Sequence, residues 1–387
     1  MSATGYWMNF PAASPSNIGR WDIFCRVIDN FGDAGVCWRL AADLASRGDS
    51  VRLFIDQPDL LAQLQGPTPL PHIDICPWPT ADAQFTAADV ADVVLEAFAC
   101  DPPAAYIEAM SQRATRPAWI NLEYLSAENW IETHHRLPSP HPRYALTKHF
   151  FFPGFTPGTG GILREPTRTA EIVEQAQRQV QASVPNAGGL NPAESLRILL
   201  FCYEQALIPA WLTILAESTS TVVLDVTPCP AQAQIRQWQS EHPGHDQPCI
   251  RALPFVSQPD FDHLLDEHDL LFVRGEDSFV RAQLAGKPLI WHIYPQTDDA
   301  HRVKLQAFYD RYLSLEVLTA AEQDVYRKVV EAWNNPSAPG SDLTKLWPAL
   351  VKQMPAMLEN ARQWRHLLLQ QVDLVSQLRE FVAHLVK

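Results

Sequence analysis

Two aspartates four positions apart, Asp29 and Asp33, are the first side chains in the sequence whose spacing could serve chemistry. They lie in the stretch WDIFCRVIDNFGDAGVCWRL, with Gly32 and Gly35 beside them, between an apolar segment and a helical pattern. Two carboxylates on one turn can receive a cation such as a guanidinium group, whose planar donors match carboxylate oxygens. Structural roles are also open, since Asp29 could close an Asx turn and Asp33 could cap a helix that begins at Ala34.

A second polar stretch, RGEDSFVRAQLAGKP, follows an apolar segment in the other half of the chain. A helix that begins near Asp277 or Ser278 would direct its first backbone amides, together with the Ser278 hydroxyl, at a diphosphate. Glu276 suits sugar hydroxyls or the orientation of a neighbour better, because two anions repel each other. Helix capping by Asp277 and Ser278 is the structural alternative, and Gly286 fits a C-cap. The crowding of Arg274 and these polar residues at one strand end favours a ligand site.

Aromatic residues around a third turn, PFVSQPDF at 254–261, indicate a pocket for a nucleobase. Phe255 and Phe261 could sandwich the base while the Gln258 amide reads a pyrimidine edge with one donor and one acceptor. Such aromatic residues more often belong to a core, and this alternative stays open. Tyr203, at the end of an apolar segment, could donate to a phosphate or simply lie on the surface.

Motifs of several other protein classes are missing from the sequence. Neither polar turn matches GxGxxG or GxxxxGK[ST], which argues against a dinucleotide or ATP site. The thirteen histidines form no HExxH spacing, and the seven cysteines include no CxxC pair. We therefore expect no metal, no cofactor and reduced thiols. No GxSxG is present to support a serine hydrolase.

Composition restricts the expected partners and compartment. The formal net charge of −14 disfavours a nucleic-acid backbone or an anionic membrane, since both need a basic surface. No apolar run approaches the roughly 18 residues that cross a bilayer, and residues 1–19 lack a signal-peptide pattern. We therefore expect a cytoplasmic protein that binds neither nucleic acid nor membrane.

Short apolar strands that alternate with helical patterns predict an α/β fold, and 387 residues favour two domains. The first strand is expected at 23–28 and its helix at 36–46, and a second series has strands at 197–203, 221–226, 250–256, 270–275 and 288–294. The predicted division is a mobile extension at 1–19, a Rossmann-like domain at 20–165, a linker at 166–195 and a second Rossmann-like domain at 196–357. A helical segment at 358–387 could pack back on the first domain, with the two domains facing a cleft.

Three stretches together carry a resemblance to a known family. WDIFCRVIDNFGDAGVCWRLA, NLEYLSAENW and FVRGEDSFVRAQLAGKPLIWHIYPQ resemble the EarP family of protein-arginine rhamnosyltransferases, which modify elongation factor P. The resemblance implies a GT-B glycosyltransferase with an acceptor domain first and a nucleotide-sugar domain second. It further implies metal-independent, inverting transfer of L-rhamnose from dTDP-β-L-rhamnose to one arginine of elongation factor P. This chain differs in its N-terminal extension and in a longer polar linker.

The family's functional positions can be matched to this sequence. The resemblance assigns catalytic roles to Asp29, Asp33 and Glu276, and we favour Asp33 as the base with Asp29 as its support. We assign nine residues to the dTDP-rhamnose site, which include the family's thymine pocket and diphosphate contacts: Asn30, Gly32, Tyr203, Phe255, Gln258, Phe261, Arg274, Asp277 and Ser278. One alternative is a GT-B enzyme with another nucleotide sugar or acceptor. Less favoured are an NAD-dependent oxidoreductase, which would need GxGxxG, and a non-enzymatic two-lobed binding protein.

Overall fold

A computed structural model describes residues 19–29, 31–66, 70–181, 195–218, 220–244, 248–296, 299–337 and 342–386. Within these ranges strands and helices alternate along the chain, which confirms the predicted α/β class. Residues 1–18 of the predicted extension and residues 182–194 of the predicted linker lie outside the described residues.

The first domain is built on a seven-stranded sheet. Its strands are β1 (Arg20–Cys25), β2 (Ser50–Ile55), β3 (Ile73–Pro77), β4 (Val93–Ala97), β5 (Ala118–Leu122), β6 (Pro138–Pro140) and β7 (Thr147–Phe151). They lie in the order β3-β2-β1-β4-β5-β7-β6, and β6 pairs antiparallel with β7 in an otherwise parallel sheet. The accompanying helices are α1 (Phe31–Ser46), α2 (Asp59–Leu64), α3 (Ala104–Gln112) and α4 (Trp130–His134). Helix α5 (Pro166–Gln181) follows in the predicted linker, and its Ile172 joins the core of the second domain.

The two faces of this sheet carry separate cores. Successive side chains of a strand point to opposite faces, so Ile23 joins the core that contains Leu40 and Leu44 of α1. Its neighbour Phe24 joins the core that contains Tyr106 and Met110 of α3. The sheet is thus covered on both sides, as parallel sheets require.

The second domain has a five-stranded parallel sheet. Its strands are β8 (Ser195–Leu200), β9 (Thr221–Val226), β10 (Cys249–Ala252), β11 (Leu270–Arg274) and β12 (Leu289–His292), in the order β10-β9-β8-β11-β12. Its helices are α6 (Ile208–Ala216), α7 (Ala231–Glu241), α8 (Gln258–Glu267), α9 (Asp277–Ala285), α10 (Ala300–Tyr312), α11 (Ala320–Asn334) and α12 (Leu343–Lys352). In each domain the strand order reverses beside the first strand, which is where ligands bind in open α/β sheets.

The C-terminal segment forms two helices, α13 (Met354–Gln370) and α14 (Leu374–Leu385), where the sequence pattern indicated one. Asp373 caps α14 by accepting a hydrogen bond from the Ser376 backbone amide. Helix α13 contributes Trp364 to the core of the second domain, whereas α14 contributes Leu378 to the core of the first. The chain therefore crosses from one domain to the other again near residues 371–373.

Two predicted boundaries near the first polar turn are wrong. Strand β1 ends at Cys25, and Ile28, which the pattern placed in a buried strand, is 69% exposed. The backbone amide of Val27 donates to Asp56 and that of Ile28 donates to Asp33, so neither amide can extend the sheet. Helix α1 begins at Phe31, five residues before the predicted start.

Candidate active site

Two cavities meet in the cleft between the domains. We name the first the aromatic chamber; it is lined among others by Phe31, Phe201, Phe255, Phe261, Gln258 and Arg274. We name the second the carboxylate chamber; it is lined among others by Asp29, Asp33, Tyr124, Glu276, Tyr294 and Lys304. Asp29, Gly32 and Gly275 line both chambers, so one ligand can occupy the two together.

Asp33 is held rigidly at the edge of the carboxylate chamber. Its Oδ2 accepts the backbone amides of Ile28 and Asp29 at 2.8 and 2.9 Å, and its Oδ1 accepts the Tyr124 hydroxyl at 3.1 Å. Because α1 begins at Phe31, Asp33 lies inside the first turn and the capping role considered for it is wrong. The three donors fix the carboxylate where it can meet a group that enters the chamber.

Asp29 lies where the two chambers and the two domains meet. Its Oδ2 accepts a hydrogen bond of 2.6 Å from the Tyr203 hydroxyl, which comes from the second domain. Burial raises the pKa of Asp29, against the lowering effects of Tyr203 and Arg274. A group that is partly desolvated in this way can interact strongly with a cation that enters the cleft.

Two glycines leave room for the Asp29 carboxylate, one in each domain. A Cβ atom on Gly32 would lie 2.8 Å from Asp29 Oδ2, and one on Gly275 would lie 3.0 Å from the same oxygen. Gly275 also has φ +63°, a left-handed conformation that glycine adopts without strain. A side chain at either position would displace the carboxylate.

Glu276 brings a third carboxylate into the chamber from the second domain. Its Oε2 accepts the backbone amide of Leu125, in the first domain, at 2.8 Å. Burial raises the pKa of Glu276 to about 7, although Lys304 and the Leu125 amide act to lower it. Residues from both domains thus converge on one chamber rich in carboxylates.

The side chains predicted to bind a diphosphate are already bonded to protein groups. Asp277 Oδ1 lies 2.7 Å from Arg39 Nε, and Asp277 Oδ2 accepts from the Gln258 amide at 3.1 Å. The Ser278 hydroxyl bonds to the backbone of Arg274. Neither side chain acts as the N-cap of α9, so the capping alternative is wrong, and the first turn of the helix has no side-chain cap.

The predicted base pocket is the wall of the aromatic chamber. Phe255, 40% exposed, contacts Phe31 with 5.0 Å between ring centroids, and Phe261 contacts Phe201 at 5.7 Å. The Gln258 amide nitrogen donates to the Gly35 carbonyl at 3.1 Å as well as to Asp277, which leaves its carbonyl oxygen to accept from a ligand.

Arg274 stacks on the aromatic wall near the junction of the chambers. Its guanidinium carbon lies 4.6 Å from the ring centroid of Phe201 and 4.7 Å from that of Tyr203. Of the other assigned residues, Gly32 lines both chambers and Asn30 lies outside the described residues. The structure therefore brings the described candidates together in one cleft.

A buried ionic cluster, absent from the sequence-based predictions, joins the domains behind the chambers. Arg39 of α1 lies 3.1 Å from Glu165, 3.1 Å from Asp262 and 2.7 Å from Asp277. Arg281 of α9 pairs with the same Glu165 and Asp262. Burial would raise the pKa of Asp262, but the two arginines hold it at about 2. Five charges from four segments thus link α1 to α8 and α9.

Tyr124 and Lys304 are two further residues of the carboxylate chamber that sequence reasoning did not single out. Tyr124 lies in NLEYLSAENW, one of the three stretches that resemble the family, but the resemblance assigned no role to this tyrosine. Lys304 lies on α10, in a helical pattern that gave no functional signal. Only the fold reveals that α10 reaches the chamber.

Two further properties concern the described residues alone. They contain no group of three or more histidine, cysteine, aspartate or glutamate side chains arranged to hold a metal ion. None of their helices has both the length and the apolar character needed to cross a membrane.

The two Rossmann-like domains with a cleft between them form the GT-B fold. MurG of Acinetobacter baumannii matches the fold with a TM-score of 0.52 at 12% identity, over 94% of this chain and 99% of that one. The profile of the family described as "Elongation-Factor P (EF-P) rhamnosyltransferase EarP" matches residues 21–383, and the chain belongs to this family.

Named relatives agree with the family assignment. The protein-arginine rhamnosyltransferase of Pseudomonas putida is 42% identical over 93% of this chain and 98% of its own length. That of Pseudomonas aeruginosa is 39% identical, over 94% and 98% respectively. A structure reported as "Structural basis for EarP-mediated arginine glycosylation of translation elongation factor EF-P" matches with a TM-score of 0.61 at 31% identity, over 95% and 99%. The family is one of enzymes, so the oxidoreductase and the non-enzymatic binding protein are set aside.

Proposed function

We propose that this enzyme transfers L-rhamnose from dTDP-β-L-rhamnose to an arginine side chain of elongation factor P, with inversion at the anomeric carbon. One observation carries the proposal: Asp29, Asp33 and Glu276 converge from two domains on a chamber that opens into an aromatic one. Carboxylates are the natural partners of a guanidinium group, and aromatic walls are those of a nucleobase. A translation factor as acceptor implies action in the cytoplasm.

The aromatic chamber suits the nucleotide of the donor. We place the thymine between Phe255 and Phe261, where its edge can meet the carbonyl oxygen of Gln258. The diphosphate then lies against the first amides of α9, where the helix dipole favours negative charge. The Tyr203 hydroxyl, which contacts Asp29 at the junction of the chambers, can donate to a phosphate oxygen. The rhamnose is directed toward the junction of the chambers, beside Glu276.

The carboxylate chamber suits the arginine of the acceptor. Full removal of a proton from free guanidinium, with a pKa of about 13.8, would require about 9 kcal/mol at pH 7. Prior deprotonation by a carboxylate is therefore unfavourable. Asp29 and Glu276 instead clamp and polarise the guanidinium, and Asp33 accepts the proton late, as the new bond forms.

The proposed step balances in atoms and charge. The guanidinium nitrogen forms a bond to the anomeric carbon from the face opposite the diphosphate, as the bond from that carbon to the dTDP oxygen breaks. The bonding electron pair leaves with dTDP, whose charge is stabilised by the amides of α9 and by Tyr203. The nitrogen proton goes to Asp33.

Intact-mass measurement of the acceptor tests the proposal. The enzyme is incubated with dTDP-β-L-rhamnose and elongation factor P, and we expect the mass of the acceptor to rise by one deoxyhexose. Acceptor protein with its target arginine replaced by lysine should gain no mass. UDP-glucose and dTDP-glucose in parallel reactions test whether another nucleotide sugar serves. No gain with dTDP-rhamnose, or an equal gain with the lysine acceptor, would contradict the proposal.

A further inference from the structure

Lys304 is a cation inside a chamber otherwise rich in acids. It lies on α10, half-buried, and its Nζ is 5.4 Å from the ring centroid of Tyr124. Across the described residues no carboxylate oxygen comes within the 4.0 Å of an ion pair with this amine. Among the described residues it therefore has no ion-pair partner, and it acts on its acidic neighbours through space.

The position of Lys304 is unexpected, because its positive charge would repel the guanidinium group that the carboxylate chamber is proposed to bind. A lysine with no role in the site would extend its flexible stem to water. Instead, burial lowers the pKa of Lys304, while the charges of Glu276, Glu128 and Glu123 raise it. Of these three acids, Glu276 also lines the chamber with Lys304.

We propose that Lys304 is a positioning residue that stabilises the ionised form of the Glu276 carboxyl, so that the carboxylate chamber can receive a cationic acceptor. This inference rests on the proposed function for the identity of the acceptor. The claim about Glu276 itself concerns the free enzyme and can be tested without any transfer.

The groups that face Glu276 come from four parts of the fold. Lys304 on α10 and the Leu125 amide stabilise the ionised form of the carboxyl, whereas burial, Asp33 on α1 and Asp277 on α9 disfavour it. The Tyr124 hydroxyl belongs to the same cluster through its bond to Asp33, and His301 lines the same chamber. Without Lys304, the Leu125 amide would be the main group left to lower the pKa of Glu276.

The sign of the expected effect follows from this balance. Burial raises the pKa of Glu276 to about 7 even with Lys304 in place. Removal of the cation raises that pKa further, and the carboxyl becomes protonated at neutral pH. Loss of an opposite charge nearby shifts a carboxyl by about one to three pH units.

Three variants test the proposal: Lys304→Met, Lys304→Arg and, as a matched control, Lys345→Met on an exposed surface of α12. We expect the acidic limb of the kcat/KM profile to move upward by about one to three pH units in Lys304→Met. It should stay near the wild-type position in Lys304→Arg and in the control. The affinity for dTDP should be unchanged, since Lys304 does not line the aromatic chamber.

A direct titration separates this inference from the proposed function. Carbon-13 NMR of labelled glutamate carboxyls, with the Glu276 signal assigned by its loss in Glu276→Gln, follows the ionisation of Glu276 in the free enzyme. An unchanged Glu276 titration in Lys304→Met overturns the inference, as does an equal shift in Lys304→Arg. Absence of rhamnose transfer by the wild-type enzyme would overturn only the proposed function. A structural role alone would lower the melting temperature of Lys304→Met and leave the titration in place.

Discussion

The two chambers of the cleft differ in the side chains that line them. The aromatic chamber is lined by four phenylalanines, Phe31, Phe201, Phe255 and Phe261. The carboxylate chamber is lined by Asp29, Asp33 and Glu276, and burial raises the pKa of both Asp29 and Glu276. The first chamber is therefore built for shape and stacking, and the second for charge. Changes of charge should affect transfer far more than they affect nucleotide binding.

The largest effect is expected from Asp33→Asn, which removes the proposed base and keeps its shape. We expect the transfer rate to fall about 10²–10⁴-fold, the usual contribution of a positioned base. The affinity for dTDP should change little, because Asp33 does not line the aromatic chamber. Rate measurement by acceptor mass and calorimetry with dTDP check the two halves of this prediction.

A matched variant, Asp74→Asn, changes an exposed carboxylate on β3 at the far edge of the first sheet. It should leave both quantities unchanged. Near-normal transfer by Asp33→Asn would remove Asp33 from the base role and shift attention to Asp29, which lies between the chambers.

The second largest effect is expected from the buried ionic cluster, which links α1 of the first domain to α8 and α9 of the second. Arg39→Met leaves Asp262, Glu165 and Asp277 with Arg281 as the remaining cation of the cluster. Removal of one partner from a buried ion pair destabilises proteins by about 3–5 kcal/mol. We expect a loss of this size in the free energy of unfolding, measured by urea denaturation, together with weaker dTDP binding.

Arg302→Met is the matched control for Arg39→Met, because Arg302 pairs with Glu331 at 2.9 Å on the surface. Exposed pairs of this kind contribute about 0–1 kcal/mol. An equally small loss in Arg39→Met would show that the cluster is not what holds α1 against α9.

Substitution in the aromatic wall should have the opposite effect to that expected of Asp33→Asn, with weaker dTDP binding and a smaller change in the transfer rate. Removal of a ring that stacks on a base costs about 1–3 kcal/mol, so Phe255→Ala should weaken dTDP binding about 5- to 150-fold. The rate at saturating donor should fall much less. Calorimetry with dTDP measures the first quantity, and Leu137→Ala, an exposed apolar side chain outside the chamber lining, is the control. Unchanged affinity would place the base elsewhere.

The fold class and most candidate residues follow from the sequence because they depend on local patterns. Asp29, Asp33 and Glu276 are recognisable as polar groups at strand ends, and Gly286 as a C-cap, which its φ of +65° confirms. The end of β1 was missed because the amides of residues 27–29 bond to aspartate side chains instead of to a strand.

Contacts between residues that are far apart in the sequence cannot be predicted from such local patterns. Arg39 is 126 residues from Glu165 and 223 from Asp262, and nothing in its helix distinguishes it from a surface arginine. Lys304 has the same difficulty, because its role depends on how α10 packs against the first domain. Residues of one domain that act on residues of the other can be identified only from the three-dimensional structure.

The smallest effect is expected from Tyr203→Phe, at the boundary between the chambers. The Tyr203 hydroxyl donates to Asp29 at 2.6 Å, so it must leave that carboxylate before it can donate to a donor phosphate. One hydrogen bond then replaces another, and the net contribution to dTDP affinity is the difference between them. We expect dTDP affinity to fall less than about 10-fold, within the roughly 1.5 kcal/mol of a typical net hydrogen bond.

Calorimetry with dTDP measures this change, and Tyr144→Phe on the opposite face of the first sheet is the control. A loss of more than 100-fold would make Tyr203 a principal phosphate ligand that belongs to the aromatic chamber. Unchanged dTDP affinity together with slower transfer would instead show that the Tyr203 hydroxyl acts through its hydrogen bond to Asp29, in the carboxylate chamber.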